Sequence, residues 1–137
     1  MLTGSPEERG VAAEVMEHMA APALDLTGRT TLGALALALV VSRAALVVSN
    51  DTAMSHIAAA GGTPSVIVSS GADPVRWAPL DQARHRVLFA SVACRPCAYE
   101  ACPIGHPCAL DVRAERVLEA ALDFCEGGAF HAPSVMP

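Results

Sequence analysis

Apolar residues in this chain fall in short blocks cut by polar or Gly/Pro breaks, and the spacing changes from helical to strand-like several times. Leu2-Thr3-Gly4-Ser5 reads as the end of a strand entering a loop, with Ser5 capping a helix that has Pro6 at its first position and Glu8 at its third. That helix is predicted from Pro6 to about Ala20, with Val11, Val15, Met16 and Met19 on one side and Glu7, Glu8, Glu14 and Glu17 largely elsewhere. Ala21-Pro22 ends it. Ala23 to Leu26 forms a short strand candidate, Thr27-Gly28-Arg29 a turn, and Thr30 or Thr31 caps a second helix through about Val41.

The sharpest change of pattern lies in Leu46 to Ala60. An apolar strand, predicted over Ala44 to Ser49, stops at the polar loop Ser49-Asn50-Asp51-Thr52 and gives way to a helix carrying His56 one turn in. Gly61-Gly62-Thr63-Pro64 breaks that helix, and Ser65 to Ser69 is a second β-rich run. The loop Gly71 to Pro79 holds the single Trp beside an Arg. Arg86 to Ser91 is a last strand, Cys94 to Cys108 an irregular, Pro-rich segment, and Ala114 to Phe124 a closing amphipathic helix. Strands alternating with helices predict an α/β fold with a parallel sheet and right-handed crossovers. One domain is expected over 1–125, with 126–137 a loose tail.

Composition narrows this picture. Hydrophobic residues make up 53% of the 137 and aromatics only 4%, so the core is built from Ala, Val and Leu. All nine basic residues are Arg and the formal net charge is -5, which leaves no broad basic surface for a nucleic acid. The run from Leu32 is interrupted by Ser42-Arg43 after ten apolar residues, well short of the roughly 20 that cross a bilayer. With no basic start followed by an apolar run near Met1, no secretory signal is visible and a cytoplasmic location is expected.

The chemistry expected at the Asp51 loop follows from its position. A strand delivering its carboxyl end to a helix N-terminus presents unpaired amides and the positive end of the helix dipole, an arrangement that suits anions. Asp51 falls at the expected N-cap. Thr52 and His56, four apart, share a face beside the amides of Ala53 and Met54, so diphosphate oxygens would find backbone donors, a hydroxyl and an imidazole in one place. Asp51 as a plain cap, with His56 at the surface or in the core, is the competing reading. Glu8 follows a strand-end loop expected on the same sheet edge, where a carboxylate can take both ribose hydroxyls; a capping box from Ser5 to Glu8 explains it equally well. Thr3 and Gly4 line the expected base pocket by their strand-end position. Arg76 can neutralise phosphate, stack on Trp77, or stand as a solvated loop charge.

Cys94, Cys97, Cys102 and Cys108 fall within fifteen residues, with His106 between the last two. Four thiolates in a compact loop suit a structural tetrahedral zinc, with CxxC knuckle spacing in the first pair and a looser CxxxxxC in the second. An iron–sulfur cluster and reduced, metal-free thiols are the other readings; disulfides suit a reducing compartment less well. Cys125 lies outside the set.

LTGSPEE near the start, a Gly-x-Thr-Thr-Leu helix entry, VVSNDTAMSHIAAAGGTP, DPVRWAPL and CxxCxxxxCxxxxxC follow one another in an order that resembles the C-terminal nucleotide-sugar domain of the lipopolysaccharide heptosyltransferases, glycosyltransferase family nine. The resemblance runs to about Leu122. It implies a GT-B architecture of two facing Rossmann-like domains, of which this chain is the C-terminal, donor-binding half without its first strand. It further implies an ADP-heptose-like nucleoside-diphosphate sugar as ligand, a glycan or lipid-linked acceptor held by a preceding domain, and work at the inner face of the inner membrane with at most peripheral contact. In the resembling family the DTGxxH segment cradles the donor diphosphate and sugar; Ala53 stands here where a Gly is usual. Thr30, in the turn from Gly28 to Thr31, lines the base pocket by the same resemblance. Where the family tends to have a Gly-x-Thr-Asp-Pro turn, this chain has Ser70-Gly71-Ala72-Asp73-Pro74 and loses a hydroxyl. The catalytic base belongs to the acceptor domain, which has no counterpart in this stretch, so the chain alone is expected to bind donor without transferring sugar. No cofactor is needed for that chemistry. The alternative is a small zinc-binding or interaction module that keeps the fold without transferase activity.

Overall fold

The computed structural model describes residues 1–42, 44–99 and 101–126. The chain divides into two compact units, Met1–Leu37 and Ala38–Pro137.

In the first unit the expected strands at Leu2 to Ser5 and Ala23 to Leu26 shrink to a single parallel bridge, Leu2 with Asp25. Leu2 N–H donates to Leu24 O at 2.8 Å, Leu26 N–H to Leu2 O at 3.0 Å and Gly28 N–H to Gly4 O at 2.8 Å, so the two segments run side by side without a regular ladder. Glu8 therefore follows a loop end and not the edge of a multistranded sheet. Gly28 sits at φ +69, and a Cβ there would meet Arg9 and Pro6 at 3.0 Å, so this turn requires glycine. The first helix begins as a 3-10 turn, Pro6–Glu8, and continues as α1, Arg9–Glu17. Val11, Val15 and Met19, expected to face a core, are exposed. Of the predicted side only Met16 is half-buried, together with Ala12. Helix α2 is Leu32–Ser42, and the cap question resolves on Thr31, whose Oγ1 accepts Ala34 N–H at 3.2 Å.

The second unit holds the three parallel strands β1 (Val47–Asn50), β2 (Ser65–Val68) and β3 (His85–Leu88), in spatial order β1-β2-β3. Val47 pairs with Ser65 and Ser65 with His85, and the register runs on to Asn50, Val68 and Leu88. Helix α3, Ala53–Ala60, crosses from β1 to β2. A one-turn helix α4, Pro74–Trp77, lies between β2 and β3, and another, α5, Pro107–Leu110, sits inside the cysteine segment. Helix α6 is Ala114–Glu126 and so takes in the first residue of the expected tail; the rest of that segment, 127–137, lies outside the described residues.

β2 is buried from Ser65 to Ile67, as befits a central strand covered on both faces. Val66 joins Leu88, Ala120 and Phe124 in the core, with Val117 and Ala121 packed against it. Positions 117, 120, 121 and 124 follow the i, i+3, i+4, i+7 spacing of one helix face, which is why α6 closes over β2 and β3. Ile67 points the other way by strand alternation and is just as buried. No helix among the described residues is long and apolar enough to cross a membrane.

One polar pair is buried in this sheet. Ser65 Oγ lies 2.9 Å from His85 Nδ1, in register across β2 and β3. Burial pushes the His85 pKa down, opposed by Asp81 and helped by Arg84. The folded state thus favours neutral imidazole. Stability from this site is complete above the free histidine range of about 6.5 and is lost as pH falls from there through the lowered folded-state value. Thermal melts between pH 8 and pH 5 are expected to show a falling Tm that His85→Gln flattens; an unchanged slope in the variant would assign the dependence to other groups.

Candidate functional site

All three strands are parallel, so their carboxyl ends open on one edge of the sheet, the edge where α/β folds bind ligands. Asp51 leaves β1 there. Its amide donates to Val68 O at 3.0 Å, extending the ladder by one bond, and its Oδ2 accepts the Ser69 hydroxyl at 3.1 Å. Ser69 is itself buried at the end of β2. Asp51 is therefore not the helix cap. Thr52 occupies the N-cap position with an extended backbone and makes no side-chain cap bond, while its carbonyl accepts from the amide and hydroxyl of Ser55 at 3.0 and 2.7 Å. The first amides of α3, on Ala53 and Met54, lack an intrahelical acceptor by position. Asp51 is thus free of capping duty and is aimed by Ser69 toward the loop after β2.

That loop is ordered by a cap the sequence reading overlooked. Asp73 Oδ1 accepts Val75 N–H at 2.9 Å, and Pro74 occupies the first position of α4. Asp-Pro ahead of a short segment was the available signal. α4 presents Arg76 and Trp77, with the Arg76 guanidinium carbon 5.3 Å from the centre of the Trp77 ring. His56 meets the same Trp edge-on, with ring centres 6.4 Å apart.

The cysteine segment completes the wall. Arg95 donates to three carbonyls: Ala72 on the β2 exit loop through Nη1, and Ser69 and Ala90 through Nη2 at 3.3 and 3.2 Å. Its guanidinium carbon also lies 5.4 Å from the centre of the Phe89 ring. Cys97 N–H donates to Gly71 O at 2.9 Å, so the segment is bound to the β2 exit loop at two points. Nothing in the sequence pattern distinguishes Arg95 from the other loop arginines. Farther on, Gly105 and His106 both adopt left-handed backbone, φ +82 and 58, which turns the chain around the sulfur of Cys102. His106 N–H reaches that sulfur at 3.1 Å. The amides of Ile104 and His106, with that of Gly105, hold the Cys102 thiol below the ordinary thiol range, against the opposing effect of desolvation.

These pieces enclose one cavity of about 620 Å³, lined by Asp51, Ser70 to Asp73, Arg76, Trp77, Tyr99 and His106, together with Cys94, Cys97, Cys102 and Cys108. Of the residues predicted at the α3 end, only Asp51 lines it, joined by Arg76 from α4; Thr52, Ala53, Met54 and His56 lie outside its lining. The sequence reading set the cysteines apart from the ligand site, whereas all four stand in the wall that Asp51 faces. They share the cavity without converging: among the described residues no three His, Cys, Asp or Glu side chains come together closely enough to hold a metal ion. All five cysteines are free.

The remaining candidates belong to the first unit. Glu8 closes the N-terminal turn: its Oε2 accepts Ser5 N–H at 2.6 Å, and its own amide donates to Ser5 O at 3.1 Å. Gly4 packs so closely on that carboxylate that a Cβ would meet Oε2 at 2.9 Å. Thr3 is half-buried beside it in the chain. Thr30 Oγ1 is buried with no hydrogen-bond partner among the described residues.

A parallel sheet with a strand-to-helix switch at its carboxyl edge and flanking helices define a Rossmann-like α/β fold. The family model for Glycosyltransferase family 9 (heptosyltransferase) matches residues 1–107. The chain belongs to that family. It is also similar to the crystal structure of the glycosyl transferase family 9 from Veillonella parvula DSM 2008, with a TM-score of 0.70 at 25% identity. That match covers 89% of this chain and 35% of the other, so the chain spans about a third of the solved relative. The search of curated proteins returned no match.

Proposed function

We propose that this chain is the donor-binding part of an inverting glycosyltransferase, taking a nucleoside-diphosphate sugar of the ADP-heptose kind for lipopolysaccharide or related glycan synthesis. The observation that carries the reading is the placement of Asp51: it is fixed by Ser69 at the carboxyl edge of the sheet, beside the first amides of α3 on one side and the cavity on the other. In this reading the α3 amides and helix dipole hold the diphosphate and stabilise the charge that gathers on it as the anomeric carbon is displaced. The base that deprotonates the acceptor hydroxyl belongs to a partner domain that also carries the acceptor, so this chain's share is binding and leaving-group stabilisation. Calorimetry with ADP-heptose, ADP-glucose, UDP-glucose and GDP-mannose is expected to show binding of at least one, weakened about tenfold or more by Asp51→Ala, the loss typical of a charge-assisted hydrogen bond. No heat with any of them at millimolar concentration would overturn the assignment.

A second reading, a structural zinc site in a module without transferase activity, draws on the gathering of four thiols in one wall. Purified chain carrying stoichiometric zinc, with a Tm that falls on chelation, would support the site; indifference to every nucleotide sugar would be needed to support the module.

A further inference from the structure

Four of the five cysteines, Cys94, Cys97, Cys102 and Cys108, line the cavity that Asp51 faces; Cys125, on α6, does not. The two pairs are presented by different devices. Arg95, between Cys94 and Cys97 in the chain, donates to the carbonyls of Ala72, Ser69 and Ala90, and the Cys97 amide donates to Gly71 O at 2.9 Å. The first pair is thereby fixed to the exits of β2 and β3. Gly71 leaves room for this, since a Cβ there would meet the Cβ of Cys97 at 3.1 Å. In the second pair, the turn through Gly105 and His106 aims the His106 amide at Cys102 Sγ from 3.1 Å, and Cys108 is held in α5 at 8% exposure. An amide aimed at a sulfur orients it and supports its charge once a metal is bound.

The charges elsewhere in the lining decide what such a metal would do. Asp51 and Asp73 stand against the single guanidinium of Arg76, a formal balance of one negative charge with His106 neutral. Metal-free thiols gain nothing by converging; the cation itself supplies the attraction that gathers its ligands. Four thiols that take up one divalent cation release four protons to solvent, and the resulting tetrathiolate carries two net negative charges. Those charges enter the wall of a cavity already short of cations, where they repel an anion brought to Asp51.

We infer that the cysteine wall is a site for a thiophilic divalent cation such as zinc, held by Cys94, Cys97, Cys102 and Cys108, and that its occupancy opposes the binding of an anionic nucleotide beside Asp51. The inference rests on the donor-binding reading and joins the thiol wall to it. The metal then has a regulatory part in place of a purely structural one. By linkage, the nucleotide weakens zinc binding by the same factor as zinc weakens nucleotide binding.

The reduced full chain is prepared metal-free and with one equivalent of zinc. Zinc content is measured after gel filtration, and alkylation by iodoacetamide is mapped by mass spectrometry. One zinc per chain is expected, with alkylation of the four wall cysteines slowed several-fold and that of Cys125 unchanged. Calorimetry then compares the two preparations with the same nucleotide sugars. Zinc is expected to weaken affinity about tenfold, an ordinary coupling between two sites. Cys97→Ser together with Cys102→Ser is expected to abolish zinc retention, and with it the difference between the preparations. No retained zinc, or protection that extends equally to Cys125, overturns the inference and leaves donor binding standing. So does zinc that protects the four cysteines while nucleotide affinity stays unchanged or rises. Nucleotide sugars that bind neither preparation overturn both.

Discussion

Phe124→Ala is expected to lower the stability of the second unit by about 3–5 kcal/mol, the cost of removing a buried aromatic ring and leaving a cavity behind. The ring is 6% exposed and packs with Val66, Leu88 and Ala120, so it bridges the central strand, β3 and α6. It is also capped from outside: the Arg86 guanidinium carbon lies 5.4 Å from the ring centre, and Nη1 of Arg86 bonds Asp123 Oδ2 at 2.5 Å. The ion pair is largely exposed and contributes little by itself, so the loss should come from the ring. Chemical denaturation should show it directly, with Phe124→Leu costing much less because most of the volume stays. A loss below about 1 kcal/mol for the alanine variant would mean that α6 is not part of the cooperative core.

Arg95→Met is expected to have the second large effect, and a different one. The guanidinium satisfies carbonyls on Ser69, Ala72 and Ala90, joining the exits of β2 and β3 to the cysteine segment. Hydrogen bonds to charged groups contribute about 1.5–3 kcal/mol each, and orphaned carbonyls add a desolvation cost, so a net loss of about 3 kcal/mol is expected. The loss should be local. Limited proteolysis between Ala90 and Cys108 should accelerate strongly, while the core signal of Phe124 and β2 shifts less. Arg95→Lys keeps the charge without the planar fork and should recover only part of the protection. Unchanged proteolysis in Arg95→Met would show that the Cys97 to Gly71 bond and packing suffice to hold the wall.

The contrast between Phe124 and Arg95 also explains what was legible in the sequence. Phe124 belongs to a repeating pattern, and β2 and α6 could be read because their burial follows periods of two and 3.6. Boundaries moved by a few residues where the ladder, not hydrophobicity, decides: β3 begins at His85 because His85 pairs with Ser65, and it ends at Leu88, before the predicted Ser91. The paired segments near Leu2 and Asp25 carried strand-like residues but too few partners to form a ladder. Asp51 was correctly placed at a strand-to-helix switch, yet given the cap that Thr52 occupies, because a one-residue shift is invisible until the Val68 and Ser69 bonds are known. The cavity was the least legible feature. Its two walls, near residue 73 and near residue 102, are joined by Arg95 and by the parallel register, and neither leaves a local signature.

One property of the sheet reaches further than any single contact. Because β1, β2 and β3 all run the same way, the residues that hold the fold together lie within the strands and on α6, while those lining the cavity sit on connections leaving one edge. The two sets scarcely overlap; Asp51 and Cys108 come nearest to belonging to both. Loops of this kind tolerate substitution and insertion that a packed core does not. A lineage carrying this domain can therefore exchange the segment after β2, or the cysteine segment after β3, and try a new ligand while the framework beneath it stays as it was.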